Sequence, residues 1–223
     1  MTGGDSPRLD PDTLRAALPA DVLVGRQILV FEETDSTNDL AARAGDDSLP
    51  EGLVIFAESQ RAGRGRLGRK WTSTPRQALL FSILLRPAIP VERWPELTFC
   101  AALAVAETAE RFTGQPAHIK WPNDVLLNGR KVAGILLETH HRQTPGFVVV
   151  GIGVNVRQQP DDFAPELRDR AGSLAMAADS AASLDRHLVA ASLLERLGSL
   201  YARWPDDFPA IMQACRDRGC ALS

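Results

Sequence analysis

The sequence has few cysteines, no long apolar run and no excess of positive charge. Its three cysteines, Cys100, Cys215 and Cys220, are too scattered for a disulfide framework or a zinc site, so we expect reduced thiols in a cytoplasmic protein. No apolar run approaches the ~20 residues of a membrane span, and residues 1–20 lack the basic start and apolar block of a signal peptide. A net charge of −3 argues against general binding to nucleic acids or membranes.

Positive charge is instead concentrated in one short stretch of this slightly acidic chain. Residues 58–71 read "ESQRAGRGRLGRKW" and place four arginines and a lysine among three glycines. The overall composition, 44% hydrophobic and 24% charged, is ordinary for a globular enzyme and excludes little. A basic stretch is often only a solvated face, but the interleaved glycines indicate a loop that binds a ligand.

Apolar runs and turn signals predict strands through the middle of the chain and helices near its end. Predicted strands cover 27–33, 52–59, 78–85 and 147–156, with a strand, a kink, a second strand and a hairpin over 117–139. Predicted helices start at Asp35 or Ser36 and end at Gly45, run from Pro90 to Gly114, and cover 183–203 and 206–217. This order predicts an α+β fold with a mixed, largely antiparallel sheet backed by helices.

Gly63, Gly65 and Gly68 have the G-x-G-x-x-G spacing of a dinucleotide-binding turn, which requires a helix directly after the glycines. The segment that follows, "RKWTSTPRQ", contains Pro75 and weak helix formers, and the next element is a predicted strand. We therefore interpret the stretch as a flexible lid for an anionic ligand. Arginine forks pair with phosphate or carboxylate, the glycines let the main chain close over the ligand, and mutual repulsion keeps the empty loop mobile.

Five blocks, in order, resemble the biotin protein ligase family. They are "DSTND" (35–39), "GRGRLGRKW" (63–71), "KWPNDV" (120–125), "KVAGILLE" (131–138) and "GIGVNV" (151–156). The resemblance implies a catalytic domain akin to class II aminoacyl-tRNA synthetases. It also implies an activity: ATP and biotin give biotinyl-5′-AMP, and biotin then passes to one lysine of a biotin carboxyl carrier domain, such as that of acetyl-CoA carboxylase.

The resemblance also implies roles for individual residues. Catalytic roles fall to Lys120, Arg66 and Arg64, with Lys120 bridging the biotin carboxylate and the α-phosphate. Implied biotin-binding residues are Ser36, Thr37, Asn38, Gln60, Arg64, Gly65, Arg66, Lys120 and Gly134. Implied ATP- or adenylate-binding residues are Arg69, Trp71, Asn123, Asn155, Gly151 and Gly153.

Several of these roles have alternatives that the sequence leaves open. Ser36 is also a candidate N-cap, Arg69 a solvated arginine, and Trp71 a loop anchor in the core rather than a cover for adenine. Mg²⁺ is expected because ATP is used, but its ligands are unassigned; Asn123 and Asp124 are candidates to orient Lys120 or to reach Mg²⁺ through water.

The sequence predicts an N-terminal arm over 1–26 and a biotin/lipoate protein ligase catalytic domain over 27–218. The arm is too short for the winged helix-turn-helix that some family members carry, so no DNA binding is expected. We expect no C-terminal SH3-like barrel of the kind that most family members carry, and therefore less efficient transfer. A homodimer is one state left open, with "GIGVNV" as a candidate edge strand.

The sequence leaves two rival functions open. One is a lipoate or octanoate ligase with a related fold, against which the arginine–glycine loop and the Ser-Thr-Asn trio favour biotin. The other is a non-catalytic sensor of biotin or nucleotide, suggested by the missing barrel.

Overall fold

Seven strands form one mixed sheet in a computed structural model that describes residues 6–141, 146–179 and 184–220. The strands are β1 (Gln27–Thr34), β2 (Leu53–Gln60), β3 (Ala78–Leu85), β4 (Ala117–Lys120), β5 (Asp124–Leu127), β6 (Arg130–His140) and β7 (Phe147–Asn155). Their order in the sheet is β1-β2-β3-β7-β6-β5-β4. The β1–β2 pair is parallel and the other neighbouring pairs are antiparallel. The predicted α+β class and largely antiparallel sheet are therefore confirmed.

Helices cover both faces of this sheet, which explains why the central strands are apolar along their whole length. The helices are α1 (Pro11–Ala16), α2 (Thr37–Asp46), α3 (Leu97–Thr113), α4 (Leu174–Ala177), α5 (Arg186–Arg203) and α6 (Phe208–Arg216). Helix α2 packs with β2 and β7 in one apolar cluster, whereas α3, α5 and α6 build the larger cluster on the opposite face. Every residue of β3 is buried between these layers.

Helix boundaries follow the predicted signals in most places. The segment between Pro90 and Gly114 begins with a 3₁₀ turn over Val91–Glu96 and continues as α3. Gly114 ends the helix with φ of 69°, a left-handed conformation that a side chain would strain, and its N–H donates to the Glu110 carbonyl at 2.8 Å.

The prediction that Gly45 ends α2 is wrong, because the helix continues to Asp46. Gly45 is required for packing instead. A Cβ at this position would lie 2.5 Å from the Phe147 ring of β7, closer than any real contact. The glycine lets α2 approach the sheet, and it was misread as a stop signal because the ring it accommodates is about a hundred residues away in sequence.

The described part of the predicted arm packs into the main core. Leu9, Leu14 and Leu18 are buried in the same apolar cluster as α3 and α5. A buried ion pair fixes the arm further: Arg186 donates to Glu58 at 2.6 Å and to the Pro7 carbonyl at 2.7 Å. The boundary placed at residue 26 therefore does not coincide with a break in the core.

The predicted hairpin and the predicted edge strand have different outcomes. Asn128 and Gly129 join β5 to β6 with φ of 49° and 75°, the left-handed pair that a tight two-residue turn requires. "GIGVNV" begins within β7, which is hydrogen-bonded to β3 on one side and β6 on the other. Its proposed role as an edge strand for a second subunit is therefore wrong.

All three cysteines are free and buried, as expected for reduced thiols. Burial raises the pKa of the Cys100 thiol and of the Cys215 thiol to about 12, so both stay protonated and unreactive at neutral pH. Among the helices of the described chain, none has the length and hydropathy needed to cross a bilayer.

Candidate active site

A cavity of about 990 Å³ opens on the sheet where the quoted blocks meet. It lies between the start of α2, the loop after β2, and the strands β4 to β7. Every residue predicted for catalysis or binding lines this cavity: Ser36, Thr37, Asn38, Gln60, Arg64, Gly65, Arg66, Arg69, Trp71, Lys120, Asn123, Gly134, Gly151, Gly153 and Asn155. The fold thus gathers these residues at one place, while their individual roles stay predictions.

The start of α2 offers uncharged polar groups to the cavity. Gln60, at the end of β2, accepts the Thr37 main-chain N–H on Oε1 at 2.8 Å. It therefore takes the place of a capping side chain, and Ser36, at the N-cap position, makes no side-chain cap bond. The Ser36 hydroxyl has no hydrogen-bond partner within the described ranges, so it is available to a ligand.

Asn38 is committed to the protein rather than to the cavity. Its Nδ2 donates to Glu138 at 2.6 Å, and its Oδ1 accepts the Ser82 hydroxyl at 2.6 Å. A Cβ on Gly151 would lie 2.0 Å from Asn38 Oδ1. Gly151 is thus required by the amide that lies over it.

The cations of the basic loop fall into two groups. Arg61 contacts Asp35 at 2.8 Å and Glu33 at 3.4 Å, and the hydrogen bond to Asp35 raises the pKa of Arg61. Arg64 contacts Asp39 at 2.6 Å and Glu138 at 3.0 Å. These carboxylates offset part of the mutual repulsion predicted for the empty loop.

The other group is Arg66, Arg69 and Lys70. Their side chains are exposed and have no ion-pair or hydrogen-bond partner among residues that the structure describes. All three line the cavity, whereas Arg61 does not. Positive charge that is not already neutralised therefore lies in the second half of the loop.

Trp71 closes the loop onto the sheet. Its main-chain N–H donates to the Gly63 carbonyl at 2.9 Å. Its indole packs against Gly134 and Gly153, which are opposite each other in the β6–β7 register. The indole Nε1 is buried without a hydrogen-bond partner in the described structure. The Lys131 ammonium lies 5.5 Å from the ring centroid. In this arrangement Trp71 anchors the loop on the glycine pair.

We expect Gly153→Ala to destabilise the protein by about 1–3 kcal/mol, because the added Cβ would lie 2.5 Å from the Trp71 indole. Urea unfolding measures the change, and Trp71→Phe in the same background should recover part of it. Gly65→Ala is the control, since its Cβ would meet nothing closer than 3.4 Å. Equal losses in the two single variants would contradict the packing argument.

Lys120 lies at the end of β4, on the exposed face of a strand whose alternate residues are buried. The next residue, Trp121, stacks on Phe99 at 4.1 Å between ring centroids, which fixes the main chain beside the lysine. The ammonium itself has no partner within residues 6–141, 146–179 and 184–220. Lys120 is therefore a positioned but unneutralised cation.

Asp124 and Asn155 are engaged by other protein groups. Asp124 contacts the Lys131 ammonium at 2.6 Å, so its carboxylate orients Lys131. The alternative in which Asp124 orients Lys120 is therefore wrong. Asn155 is buried, donates to the Gly172 carbonyl at 2.9 Å and accepts from Gln158 at 3.1 Å. Asn123 lines the cavity, and its main-chain carbonyl accepts the Ile135 main-chain N–H at 2.9 Å.

The segment over 163–171 forms a cavity wall that sequence reasoning missed. The main-chain N–H of Lys131 donates to the Arg170 carbonyl at 2.7 Å, and the main-chain N–H of Gly172 donates to the Lys131 carbonyl at 2.9 Å. These two bonds hold the segment beside β6. The sequence predicts no role for this segment, because nothing local shows that it returns to the sheet. Lys131 was part of a quoted block but carried no assigned role.

The fold and the cavity define a class of protein. The mixed, mostly antiparallel sheet, with helices on both faces and an arginine- and glycine-rich loop over its cavity, agrees with the class II aminoacyl-tRNA synthetase-like catalytic domain that the resemblance implies. A sequence profile described as the biotin/lipoate A/B protein ligase family matches residues 30–155. The chain belongs to this family.

Similar proteins include two bacterial ligases. The bifunctional ligase/repressor BirA of Bacillus subtilis is 40% identical over 172 residues, which are 77% of this chain and 53% of that protein. The biotin–[acetyl-CoA-carboxylase] ligase of Mycobacterium tuberculosis is 36% identical and covers 97% of this chain and 79% of its own length. The chain spans about half the length of the Bacillus relatives it matches.

The fold is also similar to solved structures of this family. A biotin protein ligase from Aquifex aeolicus in complex with biotin and ATP superposes with a TM-score of 0.74 and is 31% identical, with 86% of this chain and 78% of that chain covered. The fold expected from the sequence is thereby confirmed.

Proposed function

We propose that this chain is an ATP-dependent biotin protein ligase, which forms biotinyl-5′-AMP and transfers biotin to a lysine of a biotin carboxyl carrier domain. One observation carries the proposal: uncharged polar groups and unneutralised cations line the same cavity. Ser36, Thr37 and Gln60 lie at the start of α2, and Lys120 and Arg66 line the cavity with them. Biotin has a neutral ureido ring at one end and a carboxylate at the other, so it fits this distribution of charge.

The same charge distribution suits the first chemical step. A biotin carboxylate attacks the α-phosphate of ATP, although both groups are anionic, and pyrophosphate leaves. Cations held in place before the reaction stabilise the charge that builds up in the transition state. Lys120 is the best placed, because its main chain is fixed by Trp121 stacking and its ammonium has no other partner in the described structure.

Three cations of the loop, Arg66, Arg69 and Lys70, complement the phosphates of the nucleotide. Trp71 anchors the loop and also lines the cavity, so its indole can contact the adenine as well. Mg²⁺ would accompany ATP, and such an ion commonly takes only one or two protein carboxylates besides phosphate oxygens. Asp124 and Asp169 line the cavity and fit that requirement, and Asp124 would hold the ion in exchange for Lys131. When bound, Mg²⁺ neutralises phosphate charge.

The second half-reaction needs no nucleophile from this chain. The acceptor lysine attacks the acyl carbon of the mixed anhydride, the acyl–phosphate bond breaks, and AMP leaves. The relative from Mycobacterium tuberculosis is named for acetyl-CoA carboxylase. We propose that the partner is a carboxyl carrier domain of that class.

The test is a streptavidin blot of a carrier domain incubated with the purified chain, biotin and ATP. We expect one labelled carrier band that requires all three components and disappears when the acceptor lysine is replaced by arginine. Unlabelled carrier with adenylate retained on the protein would favour the sensor. Biotin-dependent, rather than lipoate-dependent, ATP–pyrophosphate exchange separates the biotin ligase from the lipoate ligase.

We expect Arg66→Gly to release the adenylate roughly 10- to 100-fold faster, because one charge-assisted contact contributes about 1.5–3 kcal/mol. The measurement is the dissociation rate of isolated complexes between the protein and radiolabelled adenylate. Arg61→Gly is the matched control, since Arg61 lies on the same stretch but outside the cavity, bound to Asp35 and Glu33. A faster release from Arg61→Gly than from Arg66→Gly would contradict the division of the loop into two groups.

A further inference from the structure

Glu138, on β6, connects the basic loop to the polar end of the cavity. Its two carboxylate oxygens contact the Arg64 guanidinium at 3.0 Å each, and Oε2 also accepts Asn38 Nδ2 at 2.6 Å. A carboxylate paired in this way only accepts hydrogen bonds. The Asn38 atom that faces Glu138 must therefore be the amide nitrogen, and Oδ1 must face the other way.

This orientation determines each later bond in the chain. Asn38 Oδ1 lies 2.6 Å from the Ser82 hydroxyl, and since an amide oxygen cannot donate, the single Ser82 proton points to it. Ser82 Oγ also lies 2.8 Å from Thr37 Oγ1. Having no second proton, Ser82 accepts in that contact, so Thr37 donates to Ser82, and Gln60 Oε1, 3.2 Å from Thr37 Oγ1, is the more distant acceptor.

The Thr37 proton is thus used within the protein, and Thr37, which lines the cavity, has only acceptor capacity left for a ligand. Gln60 Oε1 accepts the Thr37 main-chain N–H at 2.8 Å and also lies 3.2 Å from Thr37 Oγ1, so this oxygen is turned to Thr37 and the Gln60 amide nitrogen is left to donate to a ligand. A cyclic urea presents N–H donors beside a carbonyl acceptor. It therefore matches an acceptor at Thr37 and a donor at Gln60.

We propose that Glu138 is a positioning residue that fixes the donor–acceptor direction of the Asn38–Ser82–Thr37 chain and thereby makes the site selective for a ligand with a ring N–H. The proposal rests on the proposed function, because it concerns how the same cavity recognises biotin. Glu138 acts through Asn38 and does not need to touch the ligand. The Arg64 contact ties the loop to the same carboxylate, so one residue links polar recognition to the placement of the loop.

Glu138→Gln tests the proposal because it keeps the shape and removes one acceptor. The remaining side-chain oxygen stays with the charged Arg64, which makes the stronger hydrogen bond, and the new amide N–H faces Asn38. The Asn38 amide then turns over, giving up the 3.4 Å contact from Nδ2 to the Leu136 carbonyl as well, and Ser82 donates to Thr37. The Thr37 proton is freed from Ser82 and can turn to Gln60 Oε1 or to the cavity, so the hydroxyl can donate to a ligand or accept from it. The variant thus loses its preference for a donor at that position of the ligand.

The measurement is isothermal titration of the full chain with biotin and with the two cyclic carbamates in which one ureido N–H is replaced by oxygen. In the natural sequence we expect one carbamate to bind roughly tenfold more weakly than biotin, the effect of losing one hydrogen bond. In Glu138→Gln this ratio of dissociation constants should fall close to one. In a Thr37→Val background, which lacks the acceptor, Glu138→Gln should change the ratio no further.

Glu110→Gln is the matched control. The Glu110 side chain is 28% exposed, close to 27% for Glu138, and it makes a similar two-point contact with Arg218, at 2.8 and 3.0 Å, away from the cavity. Its ratio should equal that of the natural sequence. Glu138→Asp keeps a carboxylate on a shorter stem, so the ratio of dissociation constants should stay at its natural value even if overall affinity falls. If Glu138→Gln does not fold, the ratio measured in Glu138→Asp tests the proposal instead.

Three results would overturn the proposal. The first is an unchanged ratio in Glu138→Gln, with both ligands weakened equally, which is what a purely structural role gives. The second is a ratio lost equally in Glu138→Asp and Glu138→Gln. The third is a ratio near one in the natural sequence. Failure of the natural sequence to bind biotin at all would instead reject the proposed function.

Discussion

Lys120→Ala should reduce biotin-dependent ATP–pyrophosphate exchange by roughly 10²–10³-fold, because loss of one prepositioned charge contact typically costs about 2.7–4 kcal/mol in the transition state. The reason lies in the surroundings of the ammonium. It lines the cavity on a strand end fixed by Trp121 stacking on Phe99, and no carboxylate in the described structure neutralises it. Lys120→Arg should recover only part of the activity, because the guanidinium has a different shape.

All three lysines of the chain, Lys70, Lys120 and Lys131, line the cavity, so no other lysine can serve as the control. His118→Ala is suitable: His118 precedes Lys120 by two residues on the same exposed face of β4 and lies outside the cavity. It should retain normal exchange. Normal turnover in Lys120→Ala would remove the mechanism proposed for the first step.

Arg186→Leu should lower the free energy of unfolding by about 3–5 kcal/mol, because it leaves the Glu58 carboxylate buried without a counter-charge. The two side chains are 1% and 0% exposed and lie 2.6 Å apart. Arg186 also donates to the carbonyls of Ala78 and Pro7, so its loss should free the N-terminal segment as well. Urea unfolding measures the first effect, and faster proteolysis near residues 6–9 reports the second.

Arg203→Leu is the matched control, since Arg203 is at the other end of α5 and pairs with Asp207 on the surface, where both side chains are about half exposed. Such a pair contributes about 0–1 kcal/mol. Glu58→Leu combined with Arg186→Leu should be less damaging than Arg186→Leu alone, because no charge is left unpaired. Equal losses in Arg186→Leu and Arg203→Leu would contradict this account of the buried pair.

Much of the candidate site was predictable from short blocks of sequence. Ser36, Thr37, Arg66 and Lys120 each lie in a short block that resembles the ligase family, and all four line one cavity. Local sequence also determined the Asn128-Gly129 turn and the end of α3 at Gly114, because left-handed backbone is accessible mainly to glycine and asparagine. The sequence excluded a dinucleotide turn on equally local grounds, since no helix follows Gly68; the chain instead continues to β3.

The tertiary structure decided what these residues contact. Arg64 and Arg66 look alike in sequence, but Arg64 is bound by Asp39 and by Glu138, 74 residues away, while Arg66 has no partner among the described residues. Gly45 is a local stop signal in sequence and Gly151 has a ligand-binding role only by resemblance, yet each is required by a distant side chain, Phe147 and Asn38 respectively.

The sequence by itself therefore determined the strands, the turns, the ligase family and the chemical groups gathered at the site. The tertiary structure alone decided which cations are neutralised, which amides are committed, and which segment forms the far wall of the cavity. The physical reason is range. Backbone preferences and hydrophobic period act over a few residues, whereas hydrogen bonds and ion pairs depend on distances that only the folded sheet sets.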